Sequence, residues 1–113
     1  MVKISEDDTV PSIQAKIVDF CRGFELDADI ASRLLDLQSE VGELAKEALR
    51  RTDYGKRRFS PSVEWENELG DILFSLVCLA NQSATDLASA LSNALEKYED
   101  RWEKKGSISS DSD

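Results

Sequence analysis

Two pairs of acidic residues carry the first chemical signal in this chain. Glu40 and Glu43 stand three residues apart, and so do Glu68 and Asp71. On a helix, positions i and i+3 share one face, so each pair presents two carboxylates together. Each acid also precedes an apolar residue: Glu40 before Val41, Glu43 before Leu44, Glu68 before Leu69, Asp71 before Ile72. The carboxylates therefore belong at the margin of a helical core. If their two helices are antiparallel neighbours, all four meet in one place. Like charges at such a margin repel and are partly desolvated, so the arrangement calls for a cation. Oxygen donors alone select a hard ion. Mg²⁺ suits best, because a few carboxylates hold it and positions remain for water and phosphate; Mn²⁺ is the expected substitute. Such an ion polarises a phosphoryl oxygen and acidifies bound water, which is the chemistry of phosphate-anhydride hydrolysis. One acidic pair alone means little: with 23 acids among 113 residues, about four or five pairs arise by chance, and the plain reading is a solvated stripe. Two pairs on two helices, each beside an apolar seam, distinguish these.

Composition removes competing chemistries. The chain has no histidine. That excludes Ser-His-Asp and Cys-His nucleophiles, histidine bases, imidazole metal sites and the Glu-x-x-His ligands of di-iron bundles. Cys21 and Cys78 are far apart in sequence, lack a CxxC partner and sit in apolar stretches. They read as small buried hydrophobes in a reducing compartment. The net charge of −9 and pI of about 4.5 repel phosphate backbones and anionic membranes, so neither nucleic acid nor membrane is expected as a partner. The longest apolar run, Ile72 to Ala80, is too short to span a bilayer. The first ten residues include Glu6, Asp7 and Asp8 and no apolar stretch of the kind that opens a signal peptide, so the expected location is the cytoplasm.

The elements that must position these acids are helices. A chain of 113 residues makes one domain. A first helix is expected from a Thr9 cap, with Pro11 in its first turn and Gly23 at its end; Ile13, Ile17, Phe20 and Phe24 recur at helical spacing. A second runs from about Asp29 to Arg51 on a seam of Leu34, Leu37, Val41, Leu44 and Ala48. Residues 52–62 read as a loop. Ser60-Pro61 reads as the cap of a third helix, Pro61 to Gln82, whose seam is Trp65, Leu69, Ile72, Leu76 and Leu79. From Ile72 onward it is apolar on nearly all sides, more than three neighbours usually cover. A fourth helix follows from about Asp86, capped by Thr85, to Lys105, and Gly106 stops it. The expected architecture is all-α: a four-helix bundle-like protomer over residues 1–105, assembling as a dimer or dimer of dimers, with a disordered polar tail at 106–113.

Asn93, Lys97 and Arg101 share one face of the fourth helix at i, i+4, i+8. Lysine and arginine there could bind a polyphosphate, or form an ordinary solvated face. Lys46 and Arg50 continue the acidic face of the second helix and are expected to pair with Glu43 and Glu47. Phe24 and Trp65 are candidate base-stacking residues, with Trp65 better placed for the core. The basic cluster Arg50-Arg51 with Lys56-Arg57-Arg58 reads as a solvated loop.

Two blocks together resemble a known family. Leu37-Gln-Ser-Glu40-Val-Gly-Glu43-Leu44, followed by Glu66-Asn-Glu68-Leu-Gly-Asp71-Ile72, is similar to the ExxE…ExxD signature of the MazG-like all-α nucleoside triphosphate pyrophosphohydrolases. Gly42 and Gly70 match as well, and the resemblance spans about Phe24 to Trp102. It implies a helical fold, usually dimeric or a dimer of dimers. It implies Mg²⁺-dependent cleavage between the α- and β-phosphates of (d)NTPs or modified nucleotides, giving a monophosphate and pyrophosphate. By this resemblance Glu40, Glu43, Glu68 and Asp71 are metal ligands, and Glu43 also orients or deprotonates the attacking water. Asn93, Lys97 and Arg101 become substrate contacts, and Phe24 stacks on the base. A phosphoribosyl-ATP pyrophosphohydrolase, or a non-catalytic helical dimerisation module, are the alternatives.

Overall fold

The computed structural model describes residues 1–110 and contains four helices: α1 (Val10–Gly23), α2 (Ile30–Arg51), α3 (Val63–Gln82) and α4 (Leu87–Lys105). No strand occurs among the described residues. Capping chemistry sets the boundaries. Thr9 Oγ1 accepts from the Ser12 amide while Ser12 Oγ accepts from the Thr9 amide, a reciprocal box that starts α1 with Pro11 in its first turn. Asp29, Ser62 and Asp86 cap α2, α3 and α4 through their side-chain oxygens. Two starts differ from expectation. Ser62 rather than Ser60 caps α3, because Ser60 is held by the Arg51 guanidinium through both its carbonyl and its hydroxyl. Asp86 rather than Thr85 caps α4, while the Thr85 hydroxyl pairs with Ser83 Oγ. Gly106, at φ 71°, closes α4 in the left-handed conformation that favours glycine.

α2 and α3 form an antiparallel hairpin, joined at one end where Ser62 Oγ donates to Glu47 Oε1 at 2.8 Å. α1 lies antiparallel along α3. Gln14 bonds to Asn81, the Phe20 and Phe74 rings meet edge-on with centroids 5.8 Å apart, and Cys21 faces Cys78. α4 joins α1 through Gln14, whose Oε1 accepts from the Leu87 amide and whose Nε2 donates to the Thr85 carbonyl. The helices do not close into the expected bundle. α4 packs onto α1, and the outer faces of α2, α3 and α4 stay open.

The seam of α2 is displaced from the expected one. Leu34 and Val41 are about half exposed, whereas Arg33, Glu40 and Glu47, at seven-residue steps, sit inward with Leu37 and Leu44. α2 thus offers α3 a mixed stripe in which charged and apolar side chains alternate. On α3, Trp65, Ile72 and Leu79 turn inward as expected, but Leu69 and Leu76 face out. Hydrophobic periodicity marks every apolar face a helix owns, including faces that the fold of this chain leaves uncovered.

The buried hydrophobic set is small: Val77, Cys78 and Ala80. Leu35, Leu73, Leu91 and Trp102 are each more than half exposed. The accessible surface is 8610 Å², against about 6,200 Å² for a compact monomer of this mass. The radius of gyration is 17.2 Å, against about 13 Å expected for a compact chain of this length. Among the described residues, no helix is long and apolar enough to cross a membrane. Of the polar tail, residues 106–110 are described, and Arg101 Nη1 donates to the Ile108 carbonyl at 3.2 Å; the rest of the tail lies outside the described residues.

Glu47 is the most thoroughly buried charge in the hairpin. It accepts from Ser62 and forms an ion pair with Arg50 at 3.6 Å. Ser62 also caps α3 by accepting from the Trp65 amide. Replacing Ser62 with alanine removes both bonds and leaves Glu47 short of a donor. The expected loss is about 1–3 kcal/mol, read from the urea midpoint at constant slope and constant protein concentration.

Candidate functional site

The carboxylates converge where α2 and α3 cross the middle of their antiparallel contact. One oxygen each from Glu40, Glu68 and Asp71 lies within 4.8 Å of the others. Two features of the local sequence make this happen. Glu40 occupies an inward position of the α2 stripe, one heptad step from Arg33 and one from Glu47. Glu68 and Asp71 sit one turn apart on α3, Glu68 half-buried toward α2 and Asp71 exposed at the groove.

The electrostatics show an unbalanced site. Glu68 Oε2 is buried and has no hydrogen-bond partner among the described residues. A hydrogen bond with Glu68, desolvation, and the charges of Asp71, Glu68 and Asp36 push Glu40 up to about 6. Glu40 therefore keeps its proton to a higher pH than an isolated carboxyl would, because desolvation and the neighbouring negative charges disfavour its ionised form. The donor set is all oxygen, one buried oxygen lacks a partner, and the excess charge is negative. These residues fit a hard divalent cation.

Glu43, the fourth acid of the two pairs, is exposed and outside the three-carboxylate cluster, one turn along α2 from Glu40. Asp36, one turn before Glu40, belongs to neither acidic pair, yet its charge contributes to the shift of Glu40. The i, i+4 spacing of Asp36 and Glu40 is the signal in the sequence that marks it. Gly42 and Gly70 face open space, where an added Cβ would meet nothing within 4 Å. The folded protomer itself therefore does not require glycine at either position.

The basic residues fall elsewhere. Lys97 and Arg101 lie over the Tyr98 ring on α4, at 5.3 and 6.0 Å from its centroid, and Asn93 is exposed on the same helix. α4 packs against α1, whereas the cluster belongs to α2 and α3. Arg50 pairs with Glu47, as expected. Phe24, at the end of α1, is 67% exposed and packs obliquely on Phe20 with centroids 4.8 Å apart. Trp65 packs edge-on against Phe59 and is half-buried, which makes it part of the core margin.

A cavity of about 680 Å³ lies at the open end of the hairpin, lined among others by Cys21, Arg22, Arg33, Cys78 and Gln82. Arg33 and Cys78 are each seven residues from Glu40 and Asp71, so the cavity begins about 10 Å along the helices from the carboxylates. It is not legible in the sequence, because α1, its connection to α2 and two further helices contribute its wall.

Comparison with known proteins gives the arrangement its family. The model of the MazG nucleotide pyrophosphohydrolase domain matches residues 29–105. The YpjD protein of Bacillus subtilis (strain 168) is 36% identical over 110 residues, covering 88% of this chain and 95% of that one. Two solved structures share the fold. The Bacillus-conserved MazG protein, described as a nucleotide pyrophosphohydrolase, superposes with a TM-score of 0.70 at 29% identity, covering 83% of this chain and 93% of that one. The structure of YPJD from Bacillus subtilis gives 0.68 at 32% identity, covering 83% and 96%. With both acidic blocks and the convergent carboxylates inside the matched span, this chain belongs to the MazG nucleotide pyrophosphohydrolase domain family, hydrolases acting on the pyrophosphate bonds of nucleotides.

Proposed function

We propose that the protein is a Mg²⁺-dependent house-cleaning enzyme of the cytoplasm that cleaves (d)NTPs or modified nucleotides between the α- and β-phosphates. The observation that carries this reading is the cluster of Glu40, Glu68 and Asp71 within 4.8 Å, with one buried oxygen left unpartnered. Glu40, Glu68 and Asp71 would hold the cation, with Glu43 joining them from the next turn of α2. A cation bound there supplies Lewis acidity toward a phosphoryl oxygen. Glu43, exposed beside the cluster, orients the attacking water and takes its proton. Asn93, Lys97 and Arg101 bind the phosphates, and Phe24 stacks on the base. The products are a nucleoside monophosphate and pyrophosphate.

The enzyme works as a homo-oligomer in this reading. The protomer exposes roughly 2,400 Å² beyond what a compact chain of its mass would, an excess of the size buried by obligate homodimers. Leu34, Leu35, Leu69 and Leu73 on the outer faces of α2 and α3 supply apolar surface for it. Assembly also brings α4, remote from α2 in one protomer, into position to serve the phosphates. Leu73→Glu should convert the oligomer to monomer or to aggregate in sedimentation velocity, while Lys56→Glu in the solvated loop should leave the assembly unchanged.

Product analysis tests the reaction. Incubation with Mg²⁺ and a panel of NTPs and dNTPs should give monophosphate plus pyrophosphate, falling at least a hundredfold in Glu43→Gln and in Asp71→Asn. Release of orthophosphate and a diphosphate would refute the bond assignment. Turnover of phosphoribosyl-ATP alone would favour that alternative substrate, and no turnover with no Mg²⁺ stabilisation would leave a dimerisation module.

The shifted carboxyl gives a pH signature. In the metal-free folded chain Glu40 holds its proton to about pH 6, whereas its ordinary value is 4.5. The folded state therefore binds the extra proton. This contribution to stability is complete below pH 4.5 and is lost as pH rises through about 6. Metal binding must displace that proton, so the Mg²⁺-induced rise in Tm should grow between pH 5 and about 7 and plateau above. Glu40→Gln should abolish both the Mg²⁺ shift and the decline of metal-free stability across this window, as read by thermal melts at stepped pH.

A further inference from the structure

Cys21 on α1 and Cys78 on α3 face each other with their sulfurs 3.7 Å apart. A disulfide needs about 2.05 Å, so the sulfurs must close by about 1.7 Å, within reach of side-chain rotation and a small helix shift. Both thiols line the cavity of about 680 Å³ at the open end of the hairpin. Their exposure differs: Cys21 is partly open, and Cys78 is 3% exposed. The carboxylate chemistry uses neither. Two thiols from different helices thus meet in the wall of a solvent-connected cavity, one accessible to a small reagent and the other directly behind it.

We propose that Cys21 and Cys78 form an oxidation site, at which a hydroperoxide is reduced and the two residues close to a disulfide that staples α1 to α3. In the first step the Cys21 thiolate attacks one peroxide oxygen. The O–O bond breaks, Cys21 becomes a sulfenic acid, and the second oxygen leaves as hydroxide or alkoxide, which takes up the thiol proton. In the second step the Cys78 sulfur attacks the Cys21 sulfur. The S–O bond breaks, and hydroxide leaves with the Cys78 proton as water. Two thiols and one hydroperoxide give one disulfide, one alcohol or water, and one water.

The order follows from the setting. Oxidants meet Cys21 first because only it is partly open to solvent. Burial is the main reason the Cys78 thiol is pushed up to about 11, which keeps it neutral and unreactive until a sulfenic sulfur stands beside it. Arg33, in the same cavity wall, favours the thiolate that develops during the second step. The staple has a mechanical consequence. α1 is secured at its start by Gln14 on Asn81, Thr85 and Leu87. Toward its end it rests on the Phe20–Phe74 contact and on this sulfur pair. A covalent bond there closes a long loop of the chain and pins the end of α1, where Phe24 projects.

The test uses the full chain and hydrogen peroxide, and it does not depend on the proposed activity. The oxidised wild type should lose two hydrogens in intact mass. It should migrate faster as a monomer on a non-reducing gel, give a single cross-linked peptide joining Cys21 to Cys78, and melt several degrees higher. Dithiothreitol should reverse all four changes. Cys78→Ser should instead accumulate a dimedone-reactive sulfenic acid at Cys21, and Cys21→Ser should resist oxidation at equal peroxide. Cys78→Ala serves the same purpose if serine perturbs the buried position, with circular dichroism confirming the helices in each variant. Oxygen addition at Cys21 without a cross-link, a disulfide between chains, or trapping at Cys78 would each overturn the proposal.

Discussion

The structure is organised around a repulsion. Glu40 and Glu68 are drawn partly out of water between α2 and α3, with Asp71 beside them and Asp36 one turn away. Among the described residues no ion pair offsets them: one Glu68 oxygen lacks a partner, and Glu40 is pushed up to about 6. A seam built for stability alone would place apolar side chains there, since unpaired charges away from water are costly. The same stripe of α2 holds two other charges, each with at least one partner, although the buried Arg33 Nε has none among the described residues. Glu47 is capped by Ser62 and paired with Arg50, and Arg33 donates to the Leu26 carbonyl. The central member of the series, Glu40, is the one that meets two further carboxylates.

That arrangement explains the hairpin's construction. The two ends of α2 are fastened by conventional means: Ser62 and Glu47 at one end, and Gln82 donating to the Ala28 carbonyl at the other. Between them, Leu37 and Leu44 are the partly buried apolar residues of the same α2 stripe. The hairpin thus holds an unbalanced acidic cluster between two fastened ends, with a donor set that fits a hard cation.

Much of this is legible along the chain. The lack of histidine and the paired acids narrow the chemistry by residue type and spacing alone, and the caps at Thr9 and Gly106 mark helix ends by local hydrogen bonding. The face of α2 that turns inward is less legible. Leu34 and Val41 are as apolar as Leu37 and Leu44, and periodicity offers both sets. The fold turns the stripe carrying Arg33, Glu40 and Glu47 inward, where Arg33 reaches the Leu26 carbonyl, Glu47 reaches Ser62, and Glu40 meets Glu68 and Asp71. Caps at Ser60 and Thr85 fit the local pattern equally well, but a long-range arginine and a neighbouring hydroxyl engage those side chains instead.

The sequence by itself determined the class of element, the acidic composition and the spacing that lets carboxylates share a helix face. These depend on contacts within a few residues, where propensity, capping and 3.6-residue periodicity act. Tertiary structure alone decided that Glu40, Glu68 and Asp71 converge while Glu43 stands one turn away, that α4 packs onto α1 rather than closing a bundle, and that Cys21 meets Cys78 at the wall of a cavity. Each of these is a matter of how helices cross, and crossing is set by the shapes of whole faces, to which no single residue or short window is a guide.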